Sequence, residues 1–348
     1  MTVLTMPAQP AQDTAAPRPV PWRRMIWVTW RQHRAMLISV LAVLGAIAVF
    51  LWIAGLWIHH NYAVMTACHP LSSSACQALS SNFTNTDWTM ANILDILLQL
   101  APVLIGAFAG APLLARELET GTYRYAWTQG FGRARWAIAK LVLVAVTITA
   151  AAWAFSEVFT WFFKPFLGTS SLTMLSATVF DTRGIAFAAW TLAAFTLGAF
   201  AGMLIRRIVP AIAVTLGAYL GLNLLAWLEL RKFYPVSLVT SNPGLSGSST
   251  SSATSPWVLS TWYTGPGGTP ANQSVVSQVL APFASHGTRP GTNQTPAQAL
   301  ARHHITEWFR YIPVSRFWPM QFIEAGWLLA LSVLLISATV WLVRRRAA

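Results

Sequence analysis

The stretch Ile185-Ala-Phe-Ala-Ala-Trp-Thr-Leu-Ala-Ala-Phe-Thr-Leu-Gly-Ala-Phe-Ala-Gly-Met-Leu-Ile205, Arg206-Arg207, Ile208-Val-Pro-Ala-Ile-Ala-Val-Thr-Leu-Gly-Ala-Tyr-Leu-Gly-Leu-Asn-Leu-Leu-Ala-Trp-Leu228 decides the fold class. Crossing the hydrocarbon of a bilayer takes about 20 apolar residues at a helical rise of about 1.5 Å. Each run meets that length without a charge, and little more than two arginines divides them. The pair therefore reads as a tight hairpin of membrane-spanning helices.

Working outward, the same criterion finds four further spans: Ala35–Ile58, Ile93–Leu114 and Trp136–Phe163 before the hairpin, and Phe322–Val343 after it. The expected fold is an all-α membrane protein of six transmembrane helices. Composition agrees, because charged residues make up 9% of the 348 where a soluble domain carries about 25%. Too little charge is present to solvate a globule of this size. A net charge of +13 would suggest nucleic acid in a soluble chain. Here it follows the cytoplasmic excess of basic residues expected beside anionic lipid, and no nucleic-acid partner is expected. Fifteen of the 23 Lys and Arg lie in segments that face one side if residue 1 starts inside, including Arg31, Arg34, Arg116, Arg124, Arg133, Arg206 and Arg344. The loop from His59 to Asn92 has none, so both termini are expected in the cytoplasm.

Residues 1–20, rich in Pro and Ala, read as a disordered cytoplasmic tail rather than a signal peptide. Residues 21–34 place Trp22, Met25, Ile26 and Trp30 on one helical side and Arg24, Arg31 and Arg34 on another. That pattern predicts an amphipathic interfacial helix, with an N-terminal extension of the first span as the alternative. Spans one to five then occupy 35–228. The outer region 229–321 is expected to be mobile over 241–296, where Ser, Thr, Gly and Pro dominate. Its aromatic end, 305–320, is expected to lie at headgroup level or to form an ordinary aromatic belt. Residues 322–348 hold the sixth span and a basic tail.

Polar residues inside spans are costly and mark function or interhelical bonding. Thr215, Tyr219, Asn223 and Trp227 recur every four residues on the fifth span, and Gln99 sits in the second. Asp95, Glu157, Glu229 and Glu324 are expected near the outer boundary, as an acidic vestibule for a cationic amphiphile or simply as carboxylates reaching water. Glycine pairs at 106/110, 198/202 and 217/221 allow close helix approach, within one bundle or between subunits. Cys68 and Cys76, both in the first outer loop, are expected to form a disulfide, with a metal site shared with His59, His60 and His69 as a weaker alternative; no metal site is assigned.

The inner loop after the second span reads Ala115-Arg-Glu-Leu-Glu-Thr-Gly-Thr-Tyr-Arg-Tyr-Ala-Trp-Thr-Gln-Gly-Phe-Gly-Arg-Ala-Arg-Trp136. Arg116, Glu117 and Glu119 extend the helix into water, Gly121 stops it, and a short helix from Thr122 to about Thr128 follows. The acidic pair, Gly121-Thr122, Arg133 and Lys140 together resemble the permeases of type-2 ABC exporters, and the six-span layout with a long last outer loop fits them too. The resemblance implies a coupling elbow of Arg116, Glu117, Glu119, Gly121, Thr122 and Arg124 that receives an ATPase. It implies a pathway lined by the second and fifth spans, making Gln99, Thr215, Tyr219, Asn223 and Trp227 candidate lining residues. It further implies two ATPase copies, a second permease (most simply another copy of this chain), a bacterial cell membrane, and export of a small amphiphile such as a drug, antibiotic or lipid. The three lysines, Lys140, Lys164 and Lys232, lie in no Gly-x-x-x-x-Gly-Lys-[Ser/Thr] loop, so ATP and Mg are expected in the partner and no catalysis or cofactor in this chain. A secondary transporter or a membrane-embedded lipid-modifying enzyme are the alternatives. The first would favour broken helices and repeated halves, and the second a polar constellation at one membrane face.

Overall fold

A computed structural model describes residues 21–70, 73–122, 132–168, 175, 177–234, 237–241, 256–283 and 295–346. The expected N-terminal tail, Arg124, the short helix of the elbow and much of 241–296 lie outside these residues. Six helices are long and apolar enough to cross a membrane: Trp22–Ala67, Ser74–Thr120, Arg133–Leu167, Gly184–Ile205, Ile208–Leu228 and Val314–Arg345. Below they are the first to sixth spans.

The first span is one unbroken helix of 46 residues, so Trp22 to Arg34 continues into it without a turn between surface helix and span. At about 1.5 Å per residue it is about 69 Å long, more than twice the hydrocarbon thickness. Leu37, Leu44, Leu51 and Ile58, spaced by seven, are its buried stripe. That spacing suits shallow left-handed packing, and the helix lies along the third span. Toward the Ala67 end Trp161 of the third span stacks on Trp52 and His59, with ring centroids 4.5 and 4.6 Å apart. The ring fills the space a side chain at Gly55 would need.

The fourth span is the centre of the bundle, packed by the second, third, fifth and sixth. Alanine and glycine make this possible. A Cβ at Gly106 or Gly110 of the second span would strike the backbone of Ala194 or Phe195, and one at Gly198 or Gly202 would strike that of Gly106 or Ala111. These two glycine pairs serve contact within the chain. The second span opens into π-turns at Phe83–Asp87 and Gly106–Gly110, and breaks at Gln99 and Leu100, just ahead of Pro102.

The region between the fifth and sixth spans carries regular structure. Within the stretch expected to be mobile, Trp257–Thr264 is a strand and Gln273–Leu280 a helix. Within the aromatic end expected at headgroup level, Thr306–Ile312 is the central strand of a sheet. Calling these β1 (Leu238–Thr240), β2 (Trp257–Thr264) and β3 (Thr306–Ile312), the order is β1-β3-β2, antiparallel throughout. Aromatic and β-branched residues favour a half-buried pleated surface over a flexible coil, and Trp262 stands directly across from Trp308. Polar average composition of the region concealed these short apolar runs.

Candidate functional site

The second span ends at Thr120, and Gly121 takes φ 72°, the left-handed conformation that halts a helix. Nothing lies within 4 Å of where its Cβ would be, so the backbone angle alone calls for glycine. Thr120 donates to the Arg116 carbonyl at 2.8 Å and shares a hydrogen bond with Thr122 at 3.1 Å. The two carboxylates of the elbow are spent on neighbouring helices. Glu117 forms an ion pair with Lys140, which is 1% exposed and lies 4.6 Å from the Trp136 ring centroid. Glu119 Oε2 accepts from the Ile208 amide at 3.1 Å. That amide opens the fifth span, where an anion also meets the positive end of the helix dipole. The hairpin joining the fourth and fifth spans turns on Arg206 at φ 60°. The elbow's base is thus fastened to the third and fifth spans at once, while the Arg116 side chain stays exposed.

The candidate lining residues separate. Thr215 and Tyr219 are buried, and Tyr219 packs edge-on against Trp190 of the fourth span, with centroids 5.6 Å apart. Asn223 is half-buried, and Trp227 is 50% exposed. The fifth span runs beside the second from Ala101 to Thr120, whereas Gln99 marks the break above that contact. The face carrying Val209, Val214, Leu220 and Leu224 is exposed, and nothing within 4 Å meets Gly217 or Gly221.

The four carboxylates expected at an outer vestibule differ in burial. Asp95 and Glu324 are fully buried, whereas Glu157 and Glu229 are exposed. Asp95 accepts from the Thr182 hydroxyl at 2.7 Å. Glu324 is the acceptor of a dense network, bonded by Trp190 Nε1 at 3.0 Å, the Tyr234 hydroxyl at 2.7 Å and the Arg231 guanidinium at 2.8 Å. Arg231 also pairs with Asp181 and lies over Phe180 at 5.0 Å. Burial works against the Arg231 charge, but Asp181 and Glu324 more than offset it and hold the guanidinium firmly protonated. Gln321 adds bonds to the Ala186 amide and the Phe180 carbonyl. Sequence reading missed Asp181, Arg231, Tyr234 and Gln321. The available signal was that charges flanking three separate span ends share one depth.

Cys68 and Cys76 are joined, with Cα atoms 5.7 Å apart, and the disulfide closes the turn between the first and second spans. Among the described residues no group of His, Cys, Asp and Glu is placed to hold a metal. No curated protein and no solved structure matches the chain. The family model described as ABC-2 membrane transporter related matches residues 41–231, more than half of the sequence, from within the first span through the elbow to Arg231. The chain therefore belongs to the ABC-2 membrane transporter related family.

Proposed function

We propose that this chain is the membrane subunit of an ABC exporter in the cell membrane, driven by a separate ATPase subunit present in two copies and completed by a second copy of itself. Its cargo on this reading is a small amphiphile, and ATP and Mg are bound by the partner. The observation that carries the reading is the fastening of the elbow. Glu117 ties it to Lys140 on the third span, and Glu119 ties it to the first amide of the fifth. Force applied at Thr120–Thr122 by a docked ATPase would therefore move three spans together. The open face of the fifth span, with Gly217 and Gly221 bare, supports a second copy facing it. Asn223 and Trp227 are then the members of the polar stripe left to meet cargo.

The test is co-expression with an ATPase chain and reconstitution of the purified complex in nanodiscs. ATP hydrolysis that depends on this chain and rises across a panel of amphiphiles is expected. Glu119→Lys, which places a cation at the start of the fifth span, should keep the complex assembled and abolish that stimulation. No association with any ATPase, or full stimulation in an assembled Glu119→Lys complex, would sink the reading.

A further inference from the structure

The first and second spans come closest at their outer ends, where the disulfide joins them, and diverge inward. Two hollows lie along the seam between them. A cleft of about 740 Å³ runs from Met36 to Phe50 on one helix and from Leu94 to Ala109 on the other, about 21 Å at helical rise. Its walls are hydrocarbon except for Ser39, whose hydroxyl is already donated to the Ala35 carbonyl at 2.8 Å. Nothing there can orient a polar ligand, so the cleft suits a hydrocarbon chain. Val43, Phe50, Leu97 and Leu104 on its rim are exposed, which opens it sideways to lipid.

Two helical turns further out on both helices is a second hollow of about 460 Å³, with a different lining. Trp57, His60 and Asn61 come from the first span, and Phe83, Thr86 and Asp87 from the second. Asp87 closes the π-turn Phe83–Asp87, a distortion that re-aims side chains and is frequent at functional sites. Its Oδ2 accepts from Asn61 Nδ2 at 3.2 Å. Among the described residues no Lys or Arg lines this hollow, and none occurs in the sequence between His59 and Asn92. A carboxylate beside two aromatic rings, with no cation to neutralise it, selects a positively charged group.

We infer that the seam between the first and second spans binds an amphiphile bearing an ammonium head, the head at Asp87 and the chain in the apolar cleft. Asp87 supplies charge recognition, Trp57 and Phe83 supply the aromatic surface, and the cleft supplies most of the apolar contact. The site belongs to the chain alone and does not depend on the transport reading, because binding is measured without an ATPase.

The experiment uses the full chain in phosphatidylglycerol nanodiscs, with native mass spectrometry reading the retention of dodecyltrimethylammonium and of dodecanol. Saturable binding of the cation is expected, in preference to the alcohol of equal chain length. Asp87→Asn should weaken the cation about tenfold, or about 1.4 kcal/mol, and leave the alcohol unchanged. Leu94→Trp, which narrows the cleft about 10 Å from Asp87 at helical rise and within reach of a dodecyl chain, should weaken both. Equal binding of cation and alcohol by the natural chain overturns the proposal, as does undiminished cation binding in the two variants. If Asp87→Asn fails to fold, unchanged binding by Leu94→Trp overturns it alone. Adding phosphatidylethanolamine to the nanodiscs separates the sources: displacement of the probe assigns the site to bilayer lipid, and its retention assigns it to a free amphiphile.

Discussion

Lys140 is 1% exposed, and its ammonium is tolerated there because Glu117 is its partner and the Trp136 ring lies beside it. Removing the carboxylate leaves a buried cation uncompensated. Glu117→Gln is therefore expected to destabilise the protein by about 3 kcal/mol. Adding Lys140→Met should restore most of that, read as thermal unfolding in detergent; equal damage in single and double variants would rule out the pairing as the cause. A second residue reports pH. Burial raises the Glu307 carboxyl above its ordinary value of 4.5, with the Tyr263 hydroxyl at 3.0 Å pulling it back. The folded sheet thus prefers Glu307 protonated. The stability this contributes is complete below the ordinary value and is lost as pH rises through the shifted one. Glu307→Gln should flatten the loss of amide protection in β2 and β3 as pH is raised above 4.5, and a natural protein with no such loss would contradict this. Sequence alone identified Glu117 and Lys140 as members of one motif. It did not pair them, because they sit on different helices and only their packing brings the charges together.

Among elements, the glycine pairs show the same division. All three pairs look alike in sequence, yet two interlock the second and fourth spans, and the third, Gly217 and Gly221, has open space before it. Gly198→Leu is expected to separate the crossing and prevent recovery of monodisperse protein, since a larger side chain there meets backbone. Gly217→Leu should leave the single chain folded and, on the two-copy reading, reduce its self-association by tenfold or more, measured by single-molecule photobleaching in liposomes. Normal recovery of Gly198→Leu would contradict the crossing, and unaltered association of Gly217→Leu would move the contact elsewhere. The outer strands were less legible than the spans. A span announces itself by some twenty apolar residues, whereas β2 and β3 are short and lie inside a region whose average composition is polar.

For the whole molecule, the Asp181–Arg231–Glu324 group, built around the buried Arg231 and Glu324, closes one end of the bundle. It draws together the short helix Ala177–Asp181, the end of the fifth span and the start of the sixth. Arg231→Leu leaves the buried Glu324 carboxylate facing the half-buried Asp181 carboxylate and is expected to cost about 3–5 kcal/mol. Combining Arg231→Leu with Asp181→Asn and Glu324→Gln should recover part of that loss, and unfolding measured in detergent separates the two outcomes. Hydropathy and the distribution of arginine determined the six spans by themselves, because solvation in lipid or water acts on each segment locally and leaves its mark in consecutive residues. The elbow's motif and its glycine stop were legible for the same reason. Tertiary structure decided which carboxylates are buried and which face outward, which glycines meet backbone, and how the seam between the first and second spans divides into an apolar cleft and a pocket at Asp87. Those are properties of pairs of helices, and the face a residue presents becomes definite only when its helix has a neighbour.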